Sequence, residues 1–125
     1  MIILYYGGSN FSCIQASKWF KEHHIPVCEK KIEEILKEDL LQALVLSEAG
    51  FPSLLKQRNK TGQTIRTLLD HLEGLNFQEG INFVLEHPEV LKTPLVLDAQ
   101  KLMVGYNSED LRVFLPPGYR SRVRH

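Results

Sequence analysis

Apolar residues recur along this chain with two periods, and the order in which the periods alternate predicts the architecture. Residues 2–6, Ile-Ile-Leu-Tyr-Tyr, form an unbroken apolar run, the pattern of a strand buried on both faces. A helical period follows. Cys13, Ala16 and Phe20 share one face with Ile14 and Trp19 beside them, while Gln15, Lys18, Lys21 and Glu22 take the other side. This predicts an amphipathic helix reaching about His24, with Ser9 or Asn10 placed to cap it. Pro26 forces a new start, and Val27 to Ile32 alternates as a second strand. Strand, short helix and strand predict parallel strands joined by a right-handed crossover.

The middle of the chain is helical. Ile35, Leu36, Leu40, Leu41, Leu44 and Val45 make a wide apolar stripe that Gly50-Phe51-Pro52 breaks. Thr61 to Leu72 carries Ile65, Leu68, Leu69 and Leu72 at helical spacing as far as Gly74. Phe77, Ile81, Val84 and Leu85 then define another helix, which Pro88 ends. The last third returns to strands. Leu95-Val96-Leu97 and Leu102-Met103-Val104 read as antiparallel partners around the turn Asp98-Ala99-Gln100-Lys101. Asn107 or Ser108 can cap a final helix whose Leu111, Phe114 and Leu115 face inward and which Pro116-Pro117-Gly118 ends. The order β-α-β, helices, β-β, α is that of an α/β, thioredoxin-like fold with a helical insertion.

Composition narrows the function. A chain of 125 residues is enough for one domain. Lys plus Arg and Asp plus Glu both number 15, so no global field draws the protein to nucleic acid or an anionic membrane. Arg120, Arg122 and Arg124 gather without an acid at the end of the sequence, either as a solvated tail or as an arm able to add phosphate contacts. No apolar run approaches the roughly 20 residues of a membrane span, and no secretory signal pattern opens the sequence. A cytoplasmic monomer without membrane contact is expected. Two cysteines, Cys13 and Cys28, are too few for a disulfide framework. The five histidines lack metal-site spacing, and no P-loop or dinucleotide fingerprint occurs, so neither metal nor cofactor is expected.

The residue with most chemistry is Cys13. It follows Gly7-Gly8-Ser9-Asn10-Phe11-Ser12 and so sits in the opening turn of a helix, where backbone N–H groups and the helix dipole favour a thiolate. Redox sites of this layout carry Cys-x-x-Cys; here the first position is Asn10. Three readings stand side by side: a lone redox-sensor thiol, a partner of Cys28, or a small apolar core residue on the Ala16–Phe20 face.

With the elements placed, the chain resembles the Spx/ArsC family over nearly its whole length. The resemblance lies in the strand, loop, cysteine and helix of residues 2–24, in Glu86-His87-Pro88 and Leu91-Lys92-Thr93-Pro94, and in Arg58-Asn59-Lys60. It is most specific at Leu102-Met103-Val104-Gly105-Tyr106-Asn107 and Leu111-Arg112-Val113-Phe114-Leu115-Pro116, which are similar to the Spx ending. It implies a mixed four-stranded sheet, with residues 1–33 and 88–118 as the thioredoxin-like core, 34–87 as an inserted helical lobe and 119–125 as a basic tail.

The Spx resemblance further implies a transcription regulator, not an enzyme, that binds the C-terminal domain of the RNA polymerase α subunit in thiol stress. DNA is then reached only through the polymerase complex. Gly50 matches a glycine at the polymerase contact, although a glycine after a helix is also an ordinary left-handed cap. Arg58 and Lys60 either meet an acidic patch on that partner or are solvated loop charges. Pro94 is expected to be a cis-proline opposite the redox loop, against an ordinary trans bond at a strand entry. In arsenate reductase relatives the Asn10 position is the nucleophile. An amide cannot attack arsenate, and Thr93 stands where the family often has Arg, so reductase chemistry is not expected. The alternative is a monothiol oxidoreductase acting through Cys13. A paralogue that occupies the polymerase site and competes with a switchable relative is a third reading.

Overall fold

The computed structural model describes residues 1–8 and 11–115. The first strand, β1 (Ile2–Tyr6), is followed by α1 (Phe11–Glu22) and β2 (Val27–Lys31). Four helices come next: α2 (Lys37–Leu46), the single-turn α3 (Phe51–Leu54), α4 (Gln63–Glu73) and α5 (Phe77–Glu86). The hairpin β3 (Leu95–Leu97) and β4 (Leu102–Val104), the short α6 (Ser108–Leu111) and a 3₁₀ turn, Arg112–Phe114, are the last elements among the described residues. The sheet order is β2-β1-β3-β4. The β1–β2 pair is parallel, with Ile3 opposite Cys28, and the other two pairs are antiparallel.

Strand alternation builds a core on each side of this sheet. Leu4, Val96 and Met103 pack with Ala16 and Phe20 of α1 and with Leu111 and Phe114. Tyr5, Leu95 and Leu97 pack on the other side with Leu40, Leu54 and Ile81 of the helical segment. The fold is thioredoxin-like, as the order of periods predicts.

Several boundaries differ from expectation. Helix α1 stops at Glu22 rather than His24. His24 takes φ 53°, and the N–H groups of His24 and Ile25 donate to the carbonyls of Lys21 and Phe20. This is a Schellman end, with His in the left-handed position usually held by Gly. Ile32 leaves β2 and opens a 3₁₀ turn, Ile32–Glu34. Ile35 and Leu36 precede α2, and Val45 is not part of the buried stripe; it is 78% exposed. Phe51-Pro52 does not simply break a helix but begins α3, where proline needs no N–H partner. The caps on Ser9 or Asn10, the stop at Pro116-Pro117-Gly118 and the basic tail lie outside the described residues.

Two backbone hydrogen bonds strap the helical segment to the strand entry. Lys56 N–H donates to the Val90 carbonyl at 2.8 Å, and Lys92 N–H to the Leu54 carbonyl at 2.8 Å, around a bridge between Leu55 and Leu91. A capping box between Asn76 and Glu79 starts α5, and the Asn107 side chain caps α6.

Candidate functional site: the redox loop and the Gly50 corner

The loop after β1 is shaped by a close approach. A Cβ on Gly7 would lie 3.2 Å from Thr93 Oγ1 and 3.3 Å from its Cγ2, so only glycine fits without displacing Thr93. The Thr93-Pro94 peptide is cis. Its far side is held by Gly105, whose N–H donates to the Pro94 carbonyl at 2.8 Å. The structure therefore sets Gly7, where the chain leaves β1, against the residue before this proline. Asn10 lies outside the described residues.

Cys13 is the third residue of α1 and is 5% exposed, on the same buried face as Ala16 and Phe20. Beside it runs a groove of about 590 Å³, bordered by Tyr6, Gly8, Ile14, Lys18, Lys21 and Glu29. Ser17 Oγ donates to Glu29 Oε2 across this groove at 3.1 Å. Cys28 is in register with Ile3, whose side chain joins the core on the helical side of the sheet. The two thiols thus occupy opposite faces of the sheet and are not joined, and a bridge between them would require β1 or β2 to come apart. That removes the pairing among the three readings of Cys13.

Gly50 is not the cap of α2, which ends at Leu46 with Ser47 after it. It starts α3 instead, with φ 74° and ψ −135°, a conformation open essentially to glycine. Serine hydroxyls pin the corner. Ser47 Oγ donates to the Leu44 carbonyl and accepts from Gly50 N–H, while Ser53 Oγ accepts from Ala49 N–H. No atom of the described residues lies within 4 Å of a Cβ placed on Gly50, so the corner presents bare backbone outward. Sequence reasoning missed the two serines, although the symmetric spacing Ser47-x-x-Gly50-x-x-Ser53 carries the signal.

Arg58 and Lys60 lie on a 3₁₀ turn and differ in circumstance. Arg58 is a rim charge with partners of its own: its guanidinium is 2.5 Å from Asp70 Oδ1 and 2.8 Å from Glu73 Oε1, both on α4. Lys60 instead borders a pocket of about 380 Å³ with Lys56, Lys92 and Thr93. Lys56 was not singled out in the sequence and Lys92 only as part of the Leu91–Pro94 stretch, because the strap between Leu54–Lys56 and Val90–Lys92 that brings them together is a long-range pairing. Among the described residues no cluster of three or more metal-ligating side chains forms, and no helix is long and apolar enough to cross a membrane.

A model of the ArsC family matches residues 8–114. The global transcriptional regulator Spx 2 of Bacillus cereus is 35% identical over 123 residues, covering 97% of this chain and 92% of that protein. The chain belongs to the Spx/ArsC family. The Spx regulator of Bacillus subtilis is similar at 33% identity over the same span, again 97% of this chain and 92% of that protein. Among solved structures, SACOL0876 from Staphylococcus aureus superposes with a TM-score of 0.74 at 16% identity, covering 90% of this chain and 97% of that one. A possible arsenate reductase from Streptococcus mutans gives a TM-score of 0.70 at 22% identity, covering 89% and 97%. These two likenesses establish the fold and leave regulator and reductase branches to be separated by the site.

Proposed function

We propose that the chain is a transcription regulator of the Spx type that binds the C-terminal domain of the RNA polymerase α subunit through the Gly50 corner. The observation that carries this reading is the corner itself: a glycine at φ 74°, pinned by Ser47 and Ser53, with open space in front of it. A rigid outward backbone lets a partner pack closely with little ordering on binding. Val45, exposed near the end of α2 five residues before it, supplies apolar contact. Whole-length similarity to proteins named as global transcriptional regulators supports the same reading. Lys60, rather than the ion-paired Arg58, is the ready cation for an acidic patch.

Calorimetric titration of the α domain into the full chain tests it. Binding at micromolar concentration that Gly50→Arg abolishes is expected. Absence of binding, or an unaffected Gly50→Arg variant of native stability, overturns it.

The second reading, a monothiol oxidoreductase, has the groove beside Cys13 in its favour. It requires turnover of a mixed disulfide that Cys13→Ser eliminates; a chain that binds the α domain and shows no such turnover decides for the regulator.

A further inference from the structure

Helix α1 buries one face and leaves another exposed among the described residues. Phe11, Ile14, Lys18 and Lys21 fall three, four and three residues apart, the spacing of a seam along which a second helix packs. Phe11 is 72% and Ile14 57% exposed, which is unusual for two large apolar side chains standing next to each other. The far half of the seam is cationic. Lys18 reaches Glu22 of its own helix only at 3.8 Å with both side chains mostly exposed, a weak tie, and Lys21 is exposed. Glu29, the nearby acid on β2, accepts from the Ser17 hydroxyl and makes no ion pair with Lys18 or Lys21 within 4 Å. The seam is therefore apolar at the start of α1 and positive at its end.

We infer that this face of α1 is a second docking surface, and that it takes an amphipathic helix of a protein partner carrying two apolar residues followed or preceded by two acidic ones at the same spacing. Charge complementarity selects this occupant. The last ten residues of the chain carry Arg120, Arg122 and Arg124 and no acid, so they do not match the lysine end. A second copy would bring the Lys18 and Lys21 ammoniums of another chain to the seam and add no acid at the seam positions themselves. The face lies across the sheet from the segment bearing Gly50, so one molecule can hold both partners at once. The inference is independent of what binds at Gly50.

Fluorescence anisotropy of labelled synthetic helices against the intact chain tests it. The probes are peptides of about four turns, Leu-Leu-Glu-Glu or the reverse order at 3-4-3 spacing on an Ala/Gln background, and the same peptides with Lys for Glu. One acidic order is expected to bind with Kd of about 100 μM or tighter, and its lysine counterpart about tenfold more weakly. Lys18→Glu with Lys21→Glu should invert that preference, and Phe11→Asp with Ile14→Asp should abolish binding. All four positions are at the surface, and circular dichroism checks that the variants fold. No binding by about 1 mM, equal binding of acidic and basic probes, or unchanged binding by the Phe11→Asp/Ile14→Asp variant overturns the inference. So does sedimentation showing a dimer that the same variant dissolves, which would assign the face to a second copy.

Discussion

The hydroxyl of Tyr5, next to the last residue of β1, donates a hydrogen bond to the Asp39 carboxylate on α2, while the Leu36 N–H donates to the same hydroxyl at 3.4 Å. This pair ties the sheet to the first helix of the inserted segment. Tyr5→Phe leaves the half-buried Asp39 and the Leu36 N–H without their partner. A loss of about 1–2 kcal/mol in urea unfolding is expected, and an unchanged midpoint would show the contact to be incidental.

The same pair predicts a pH dependence. Burial, and after it the hydrogen bond to Asp39, push the Tyr5 hydroxyl well above the ordinary tyrosine range, against a smaller opposing effect of the Leu36 N–H. The folded state therefore keeps this proton where the unfolded state loses it. The Tyr5 contribution is complete below about pH 10 and falls as pH rises beyond it. Thermal midpoints measured between about pH 8 and 11 should decline less steeply for Tyr5→Phe than for the native chain; parallel slopes would contradict the assignment.

Cys13 and Cys28 face opposite sides of the sheet. Oxidation of the folded chain by diamide in the presence of glutathione should yield mixed or intermolecular disulfides and no Cys13–Cys28 bridge. Intact mass spectrometry and non-reducing peptide maps read the product directly. Cys28, less buried, should also react faster with a thiol reagent than Cys13.

Gly7 and Thr93 form a packing pair. Gly7→Ala should destabilise by about 1–3 kcal/mol because both close atoms belong to one β-branched side chain. Adding Thr93→Ala removes both contacts and leaves Ile32 at 3.7 Å, an ordinary separation. A double-mutant cycle should therefore show recovery of a large part of the loss; strict additivity of the two substitutions would refute the contact.

Arg58 is held by Asp70 and Glu73 at the surface, so Arg58→Ala should cost no more than about 1 kcal/mol, and less at high salt. Asp70→Asn with Glu73→Gln releases the guanidinium. If the neighbouring surface meets an acidic patch, that double variant binds the α domain more tightly than the native chain, and calorimetry gives the sign.

The order and type of the larger elements were legible because local periodicity carries them. Leu95–Leu97 and Leu102–Val104 pair as two short apolar runs around a polar turn indicate, and Asn107 caps α6 as its position suggests. Boundaries were less legible. Ending α1 at Glu22 depends on His24 accepting a left-handed conformation, which no apolar pattern encodes. At the candidate site, Cys13, Pro94 and Gly50 could be named from spacing and resemblance, whereas the partners that define their surroundings could not.

Sequence alone settled the alternation of strand and helix, the helix-start position of Cys13 and the glycine at position 50, because each depends on residues within a turn or two of one another. Tertiary structure alone decided that Cys13 and Cys28 are separated by the sheet, that Arg58 is engaged by α4, and that Lys56, Lys60 and Lys92 surround one pocket. The first follows from strand register, the second from α4 returning past the turn that bears Arg58, and the third from a strap joining residues more than thirty positions apart. Such pairings are selected by burying two cores at once, and no local pattern of side chains records them.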